Sequence, residues 1–407
     1  MSRTARCLER LSGRSGAVVL GVALAAFTVA LTGCGGGDKT ETSAKGLPKE
    51  IVIGAAIAKT GYLAPWDANI AAVEELVDET NAKGGVDGHK VRIVQADNRS
   101  DPQQAAVAAQ RVIEDGADVL LLSCEALTAA AAAPVAEEAN ELNFSMCASE
   151  PGFGPPTTGR LSFSANPSTA SESSARSKFM YEKGFRHPFL LRDTSIIVGK
   201  ADCSSFQKTW EHQGGKIAGS ADFQNEDESI ASQITELKSS DADLVVICSY
   251  PPGGASAIKQ IQAAGVDLPI SASSAFDGTF WLKGIPNPDD IYMTSNGSAY
   301  DPPNQATAQL FASLEGKGVD TDVSGALLAS YAAGELMLNT VSETHSVEGD
   351  VLADALEEKP HHTIIGELSY TPDEHYATRI WPQYVFSKGK PKFLTEVKPE
   401  FIPRYEG

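Results

Sequence analysis

Cys34 is the residue whose surroundings best define a chemistry, because it ends the segment Leu31-Thr32-Gly33-Cys34. Four arginines precede an uncharged run at 17–31, which is too short for a comfortable membrane span. A basic segment, an apolar segment and small residues before a cysteine are typical of a lipoprotein signal peptide. We therefore expect removal of residues 1–33 and attachment of a diacylglycerol to the Cys34 thiol. An ordinary signal peptide or an uncleaved anchor helix is the alternative.

Residues 34–49 are rich in Gly, Thr, Ser and Lys, a composition typical of a flexible tether. Two acyl chains hold a protein on a membrane firmly, whereas one does not. We expect an extracytoplasmic protein, attached to the cell membrane through this lipid anchor only.

Four cysteines remain in the exported part, at positions 124, 147, 203 and 248. An even number in an exported protein predicts two disulfides, and four cysteines allow three pairings. The sequence contains no C-x-x-C spacing, which argues against a zinc knuckle.

The common catalytic motifs are missing from the sequence. It contains no G-x-S-x-G, H-E-x-x-H, G-x-x-x-x-G-K-[ST] or G-x-G-x-x-G. The pair His361-His362 could bind a metal, but we interpret it as part of a solvated loop because no second group of ligands lies nearby in sequence. We expect no enzymatic activity, no cofactor and no metal.

Negative charge dominates the exported part of the chain. The 407 residues carry 33 basic and 53 acidic side chains; without the four arginines and one glutamate of residues 1–33, 29 and 52 remain, a net charge of -23. Such a surface repels nucleic acid and anionic lipid headgroups, so we expect neither as a partner.

Short apolar runs alternate with longer amphipathic segments from residue 50 onward. Apolar strands alternating with helices predict parallel sheets covered on both faces. The break at Asn166-Pro167-Ser168 separates two such α/β lobes, and helical segments at 304–316 and 324–341 suit a return to the first lobe. The expected strands are Ile51–Ala58, Val91–Ala96, Val119–Cys124 and Phe144–Ala148, then Phe189–Arg192, Lys216–Phe223, Leu244–Tyr250 and Pro269–Ser273, after which the chain runs through Ile291–Ser295 into the two helical segments.

Several segments resemble the leucine/isoleucine/valine-binding protein family. They are the stretches 81–97 and 100–118, the turn Thr60-Gly61 and the segment 366–375, which looks like that family's last hairpin. The glycines Gly84 and Gly85 suit the end of a helix before a chain reversal. The order and spacing of these motifs cover residues 50 to 390.

The resemblance implies the type I periplasmic-binding-protein fold, in which two Rossmann-like lobes are joined by three crossovers. We place lobe 1 at 50–165 plus 297–380 and lobe 2 at 166–296 plus 381–407. The crossovers are expected near Ala165–Ser168, Thr294–Gly297 and Trp381–Val385.

Ligands of open α/β sheets bind beyond the carboxyl ends of the strands, near helix N-termini. In lobe 1 this rule and the resemblance select Trp66, where a flat ring could cover a solute, although it could equally pack in the core. They also select two loops, Cys124-Glu125-Ala126 and Cys147-Ala148-Ser149. Glu125 departs from the family's serine, and the alternative is a solvent-facing glutamate of the first helical turn.

In lobe 2 the same reasoning selects Tyr250, Phe276 and Asp277, with Ser274 as a competitor for the acidic position. The family usually has a tyrosine just before Gly199, where this chain has Ile196-Ile197-Val198. The standard branched-chain ligand is therefore in doubt.

The placement of the cysteines favours the pairs Cys124–Cys147 and Cys203–Cys248, each within one lobe. Glu125, Glu150 and Asp277 lie on loops that should face the cleft, without a lysine or arginine as close neighbour in sequence. We therefore expect a neutral, zwitterionic or amine-bearing solute.

These features together predict a monomeric solute-binding lipoprotein. It would capture a small polar or amino-acid-like molecule, an amino acid, amide or amine, and deliver it to the permease of an ABC importer. One alternative is a sensing module of the same fold that works with a signalling partner. A secreted α/β enzyme is another, and it would need a nucleophile and a base facing the cleft.

Overall fold

The computed structural model describes residues 47–404. The signal segment, Cys34 and most of the expected tether lie outside the described residues. The first part of the chain contains β1 (Glu50–Ile57), α1 (Ala64–Asp67), α2 (Ile70–Ala82), β2 (Lys90–Asp97), α3 (Pro102–Glu114), β3 (Val119–Leu122), α4 (Ala126–Glu138), β4 (Asn143–Ser145) and β5 (Ser162–Ser164).

The middle of the chain repeats the alternation of helix and strand. It contains α5 (Thr169–Glu182), β6 (Pro188–Asp193), α6 (Ile197–His212), β7 (Gly219–Phe223), α7 (Ala231–Ser239), β8 (Leu244–Cys248), α8 (Gly253–Ala263), β9 (Ile270–Ala272) and β10 (Ile291–Thr294).

The last part begins with helices and ends with strands. It contains α9 (Gln305–Gly316), α10 (Ser324–Thr344), α11 (Gly349–Glu358), β11 (His361–Thr363), β12 (Gly366–Thr371), β13 (Glu374–Thr378), β14 (Trp381–Ser387) and β15 (Lys390–Val397).

Two mixed sheets form the centres of two lobes. The sheet of lobe 1 has the order β11-β12-β13-β5-β4-β3-β1-β2, and the sheet of lobe 2 has the order β15-β14-β10-β9-β8-β6-β7. The strands β1 to β5 pair in parallel, as do β6 to β10. Antiparallel pairs occur only at one edge of each described sheet, where the late strands β11 to β13 and β14 to β15 add. The expected two-lobed α/β fold is confirmed.

The core of lobe 1 explains why the chain returns to it after β10. Helix α10 is buried along most of its length, and its Gly334 lets it approach α2 closely, since an added Cβ would lie 2.8 Å from Leu76 Cδ2. Residues Leu310 and Leu314 of α9 join the same apolar cluster as Ile51 and Ile53 of β1. Burial of these faces is the main favourable term that holds the returning helices on lobe 1.

Some expected boundaries were wrong. Strands β3 and β4 end before the cysteines that the predicted strands included. Residues Trp381–Val385 belong to β14, so the third crossover is the shorter connection Arg379–Ile380. The pair His361-His362 lies in β11 rather than in a loop, and His361 is buried.

Among residues 47–404, every helix is too short or too polar to cross a lipid bilayer.

Candidate functional site

A buried carboxylate organises the loops at the carboxyl end of the lobe 1 sheet. Asp67, in α1, accepts hydrogen bonds from the Ala58 amide at 2.7 Å, the Ser123 hydroxyl at 2.7 Å and the Cys124 amide at 2.8 Å. Burial raises its pKa, and these donors oppose that rise. The three bonds fix the ends of β1 and β3 relative to each other. Sequence reasoning missed Asp67; its one signal was an acidic residue beside Trp66 in an otherwise apolar helix start.

Asp193, the last residue of β6, has the same role in lobe 2. It is fully buried and accepts from the Ser249 hydroxyl at 2.7 Å, the Asn225 side-chain amide at 2.9 Å and the Ser195 amide at 3.1 Å. The loops after β6, β7 and β8 are therefore held by one side chain.

Two tyrosines lie beyond the carboxyl ends of parallel strands, Tyr62 after β1 in lobe 1 and Tyr250 after β8 in lobe 2. Burial, followed by the charges of Asp193 and Glu150, raises the pKa of Tyr250, and Tyr62 and Glu125 add to the effect. Asp193 belongs to lobe 2, whereas the other three belong to lobe 1, so groups of both lobes contribute to the raised pKa of Tyr250. Tyr62 was not predicted as a site residue. It is 68% exposed, which is unusual for an aromatic ring and was not readable from its position in sequence.

Glu125 caps the N-terminus of α4. Its Oε2 accepts from the Thr128 amide at 2.9 Å and from the Thr128 hydroxyl at 2.7 Å. This is the first-turn role that was the alternative in the sequence analysis, but the side chain is half-buried rather than solvated. Its charge also raises the pKa of Tyr62, after partial burial of that phenol. Glu125 therefore both stabilises the helix and contributes negative charge to the cleft.

Glu150, which follows β4, is a second carboxylate at this edge of the lobe 1 sheet. It accepts from the Ser149 amide at 3.2 Å. Burial raises the pKa of Glu150, nearby backbone amides including that of Ser149 oppose the rise, and the charge of Glu125 adds to it. The two carboxylates thus share the loops that follow β3 and β4.

The structure joins Cys124 to Cys147 and Cys203 to Cys248, with Cα atoms 4.5 Å and 5.5 Å apart. The first disulfide links the loops that follow β3 and β4 in lobe 1. The second links α6 to the end of β8 in lobe 2. Each bridge lies within one lobe, so neither prevents rotation of one lobe against the other.

The other expected residues of lobe 1 lie at the same edge of the sheet. Trp66 is half-buried and packs against the lobe 1 core, while Ala148 is fully buried and its carbonyl accepts from the Ser164 hydroxyl at 2.7 Å. The Ser149 carbonyl accepts from the amide and the hydroxyl of Thr169, the first residue of α5 in lobe 2, at 2.9 and 3.0 Å. This loop therefore contacts both lobes.

Two residues expected in lobe 2 have different surroundings. The Phe276 ring is fully buried in the lobe 2 core, 5.1 Å from the Trp281 ring, so the structure does not support its contact with a solute. The Asp277 carboxylate is buried and accepts from the Ser324 hydroxyl at 2.8 Å and from the Gly325 amide. It therefore caps α10 of lobe 1 from lobe 2, and it is not free to meet an amine.

The two arginines nearest in sequence to the cleft loops form ion pairs within their own lobes. Arg192 pairs with Asp222 at 2.7 Å within lobe 2, and Arg160 pairs with Glu357 at 3.3 Å in lobe 1. Ile197, in the segment where the family usually has a tyrosine, is 58% exposed in the first turn of α6. Among the described residues, no group of three His, Cys, Asp or Glu side chains is arranged to hold a metal.

Comparisons with known proteins agree with this geometry. Residues 50–390 match the model of a family described as periplasmic binding protein. The Leu/Ile/Val-binding protein homolog 3 of Brucella melitensis is 23% identical over 359 residues, which cover 84% of this chain and 92% of the relative. The Leu/Ile/Val-binding protein BraC3 of Rhizobium johnstonii is 24% identical over 351 residues, with 84% and 93% covered.

Solved structures share the fold at lower identity. The substrate-binding protein of a branched-chain amino acid transporter from Streptococcus pneumoniae, in complex with isoleucine, has a TM-score of 0.72 and 21% identity. The match covers 85% of this chain and 99% of that one. A solute-binding protein of an ABC transporter from R. palustris, in complex with 4-hydroxybenzoate, has a TM-score of 0.72, 17% identity and coverage of 86% and 98%.

Two α/β lobes whose polar loops converge between them define a solute-binding protein. The chain belongs to the periplasmic binding protein family, and its resemblance to the Leu/Ile/Val-binding proteins is confirmed. This membership implies a location outside the cytoplasm.

Asp277→Asn should change the pH dependence of stability. Burial raises the pKa of Asp277 to about 7, above its ordinary 3.8, so the folded protein binds more protons than the unfolded chain between these values. The free energy of unfolding of the parent should therefore fall relative to the variant as pH rises from about 4 to about 7, by at most about 4 kcal/mol. Urea denaturation across this range measures the difference.

Asp267→Asn is the matched control, because Asp267 is exposed on lobe 2. Its difference from the parent should not vary with pH in this way. A pH-independent difference between the parent and Asp277→Asn would contradict the assignment.

Proposed function

We propose that this protein is an extracytoplasmic solute-binding lipoprotein that captures a small polar or amino-acid-like molecule between its lobes and delivers it to an ABC importer. The proposal is carried by the family match over residues 50–390 together with the loops beyond the carboxyl ends of the two parallel sheets, which hold Tyr62, Glu125 and Glu150 in lobe 1 and Tyr250 in lobe 2. Aromatic rings offer apolar contact area, and carboxylates and hydroxyls offer hydrogen bonds, which is the composition of a small-molecule site. Names of the relatives support transport rather than sensing.

The charge of the cleft favours a neutral, zwitterionic or amine-bearing solute. Glu125 and Glu150 lie on the lobe 1 side of the cleft, and in lobe 2 the charge of Asp193 raises the pKa of Tyr250. A bound anion would need a cation or several amide donors to offset its desolvation. One amide at the start of α4 that could supply such a donor, that of Thr128, is already bonded to Glu125. Isoleucine, which carries an ammonium group beside its carboxylate, fits this acidic cleft better than 4-hydroxybenzoate, which carries a carboxylate and no amine.

A thermal-shift screen of the processed full chain tests the function. Its panel should include isoleucine, small amides, primary amines and 4-hydroxybenzoate. A binder raises Tm by mass action, in proportion to the logarithm of its concentration over Kd. We expect a shift from an amino acid, amide or amine. A shift from 4-hydroxybenzoate alone would contradict the proposed solute class, and a protein that hydrolysed a panel compound would contradict the non-enzymatic function.

Glu125→Gln tests the carboxylate directly. An amine-bearing solute should bind more than about tenfold more weakly, since a hydrogen bond to a charged group contributes about 1.5–3 kcal/mol. Isothermal titration with the best amine of the screen measures the change. Glu138→Gln, at the exposed end of the same helix, is the control and should bind like the parent. Equal affinity of the parent and Glu125→Gln would exclude contact between Glu125 and the amine.

Cys34→Ser tests the proposed anchor. Without the thiol the lipid cannot be attached, so the protein should move from the membrane fraction to the soluble fraction. Immunoblotting of fractionated cells measures the distribution. Cys7→Ser is the matched control, because Cys7 would leave with the signal peptide and its loss should change nothing. Retention of Cys34→Ser in the membrane fraction would favour an uncleaved anchor helix.

A further inference from the structure

The three connections between the lobes meet at one side chain, that of Asn296. Asn296 belongs to the second connection and is 4% exposed. Its amide group donates to Asn166 Oδ1 of the first connection at 2.8 Å, and its Oδ1 accepts from Arg379 of the third. The same amide nitrogen donates to the carbonyl of Gly325, in α10, at 3.2 Å. One buried side chain therefore bonds to both other connections and to a helix of lobe 1.

Asn166 extends this chain of hydrogen bonds to the candidate site. Its side-chain amide donates to the Cys147 carbonyl at 2.8 Å, in the loop that precedes Ser149 and Glu150. Its own carbonyl accepts from the Ala377 amide at 3.3 Å, next to the third connection. A displacement of the loop at Cys147 thus acts on Asn166, and through it on Asn296.

Arg379 makes the Asn296 carbonyl oxygen costly to remove. The guanidinium is buried, and both of its hydrogen-bond partners are neutral oxygens, Asn296 Oδ1 and the Ile380 carbonyl. Burial lowers the pKa of Arg379 to about 10. A buried cation that loses an acceptor pays a desolvation penalty, so the link between the second and third connections resists breaking.

We propose that Asn296 is a positioning residue for solute capture, which couples the Cys147–Glu150 loop to the angle between the lobes. The inference rests on the proposed function because it takes the Cys147–Glu150 loop as part of the solute site. The coupling itself is a property of the protein without a solute. Separate cores joined by thin connections yield between the lobes rather than within them, so bonds among the connections determine how freely the lobes rotate.

Distance measurements on the ligand-free full chain test the proposal. Spin labels on unnatural amino acids at Val107 of α3 and Glu236 of α7, which are both exposed, report the separation of the lobes by pulsed electron resonance. Asn296→Asp keeps an acceptor for Arg379 but loses both donated bonds, so it should fold. Its distance distribution should be about twofold broader than that of the parent. Asn166→Ala should broaden it in the same direction.

Hydrogen exchange separates coupling from simple loss of stability. The amides of residues 147–150 should exchange faster in Asn296→Asp, although Asn296 does not contact them directly. Asn81→Ala is the matched control, because Asn81 makes two comparable bonds to Val91, at 2.7 and 2.9 Å, within lobe 1 alone. It should lower Tm without a change in the distance distribution.

A parent-like distribution and parent-like exchange at 147–150 in Asn296→Asp would overturn the proposal, as would equal broadening in Asn81→Ala. Both measurements are made without a solute. Failure of the solute screen would therefore leave their outcome intact, and the two hypotheses can fail separately.

Discussion

Buried carboxylates at the ends of the sheets are the constraint on which the cleft depends. Asp67 and Asp193 each accept at least three hydrogen bonds from loops that follow different strands. A buried carboxylate is tolerated only when such donors offset its lost hydration. The loop donors therefore stabilise the buried charge, and the charge in turn fixes the positions of the loops. The loops held by each carboxylate form the rim of that lobe, and the distance between the two rims can change.

The same acidic character determines what the cleft can bind. Glu125 is bonded to the Thr128 amide at the start of α4, which in a family member without this side chain would be free to hold an anion. In this chain a negative charge of its own already lies at that helix N-terminus. The exposed ring of Tyr62 and the Tyr250 hydroxyl complete a surface suited to a molecule with an apolar part and a donor group. This combination distinguishes the cleft from one built for an anion that lacks an amine.

The sequence predicted the fold well where structure is local. The apolar runs at β1, β3 and β8 are each visible within a window of a few residues, and the structure places these strands there. From the predicted ends of β3 and β4, the sequence also placed Cys124, Glu125 and Ser149 at one edge of the lobe 1 sheet. The sequence pattern could not show where the third connection ends and β14 begins. Strand β14 is apolar and extended, like a strand that is not preceded by a crossover.

What the sequence could not predict depends on contacts between distant residues. Asp277 was expected to meet the solute, but its carboxylate caps α10, whose first residue lies 47 positions away. Phe276 follows a strand at the expected place, yet its ring turns into the core against Trp281. Tyr62 gave no signal, and Asp67 gave only that of an acidic residue beside Trp66, because exposure of the one and burial of the other follow from how the loops of several strands pack together. Positions along the chain locate a loop but not the direction of each side chain.

Small-angle X-ray scattering of the processed full chain, with and without the best solute of the thermal-shift screen, tests the central claim most directly. A solute held between two rims that are rigid within each lobe should draw the lobes together, so the radius of gyration should decrease at saturation. A radius of gyration that stays the same at saturating solute would contradict capture by closure of the lobes.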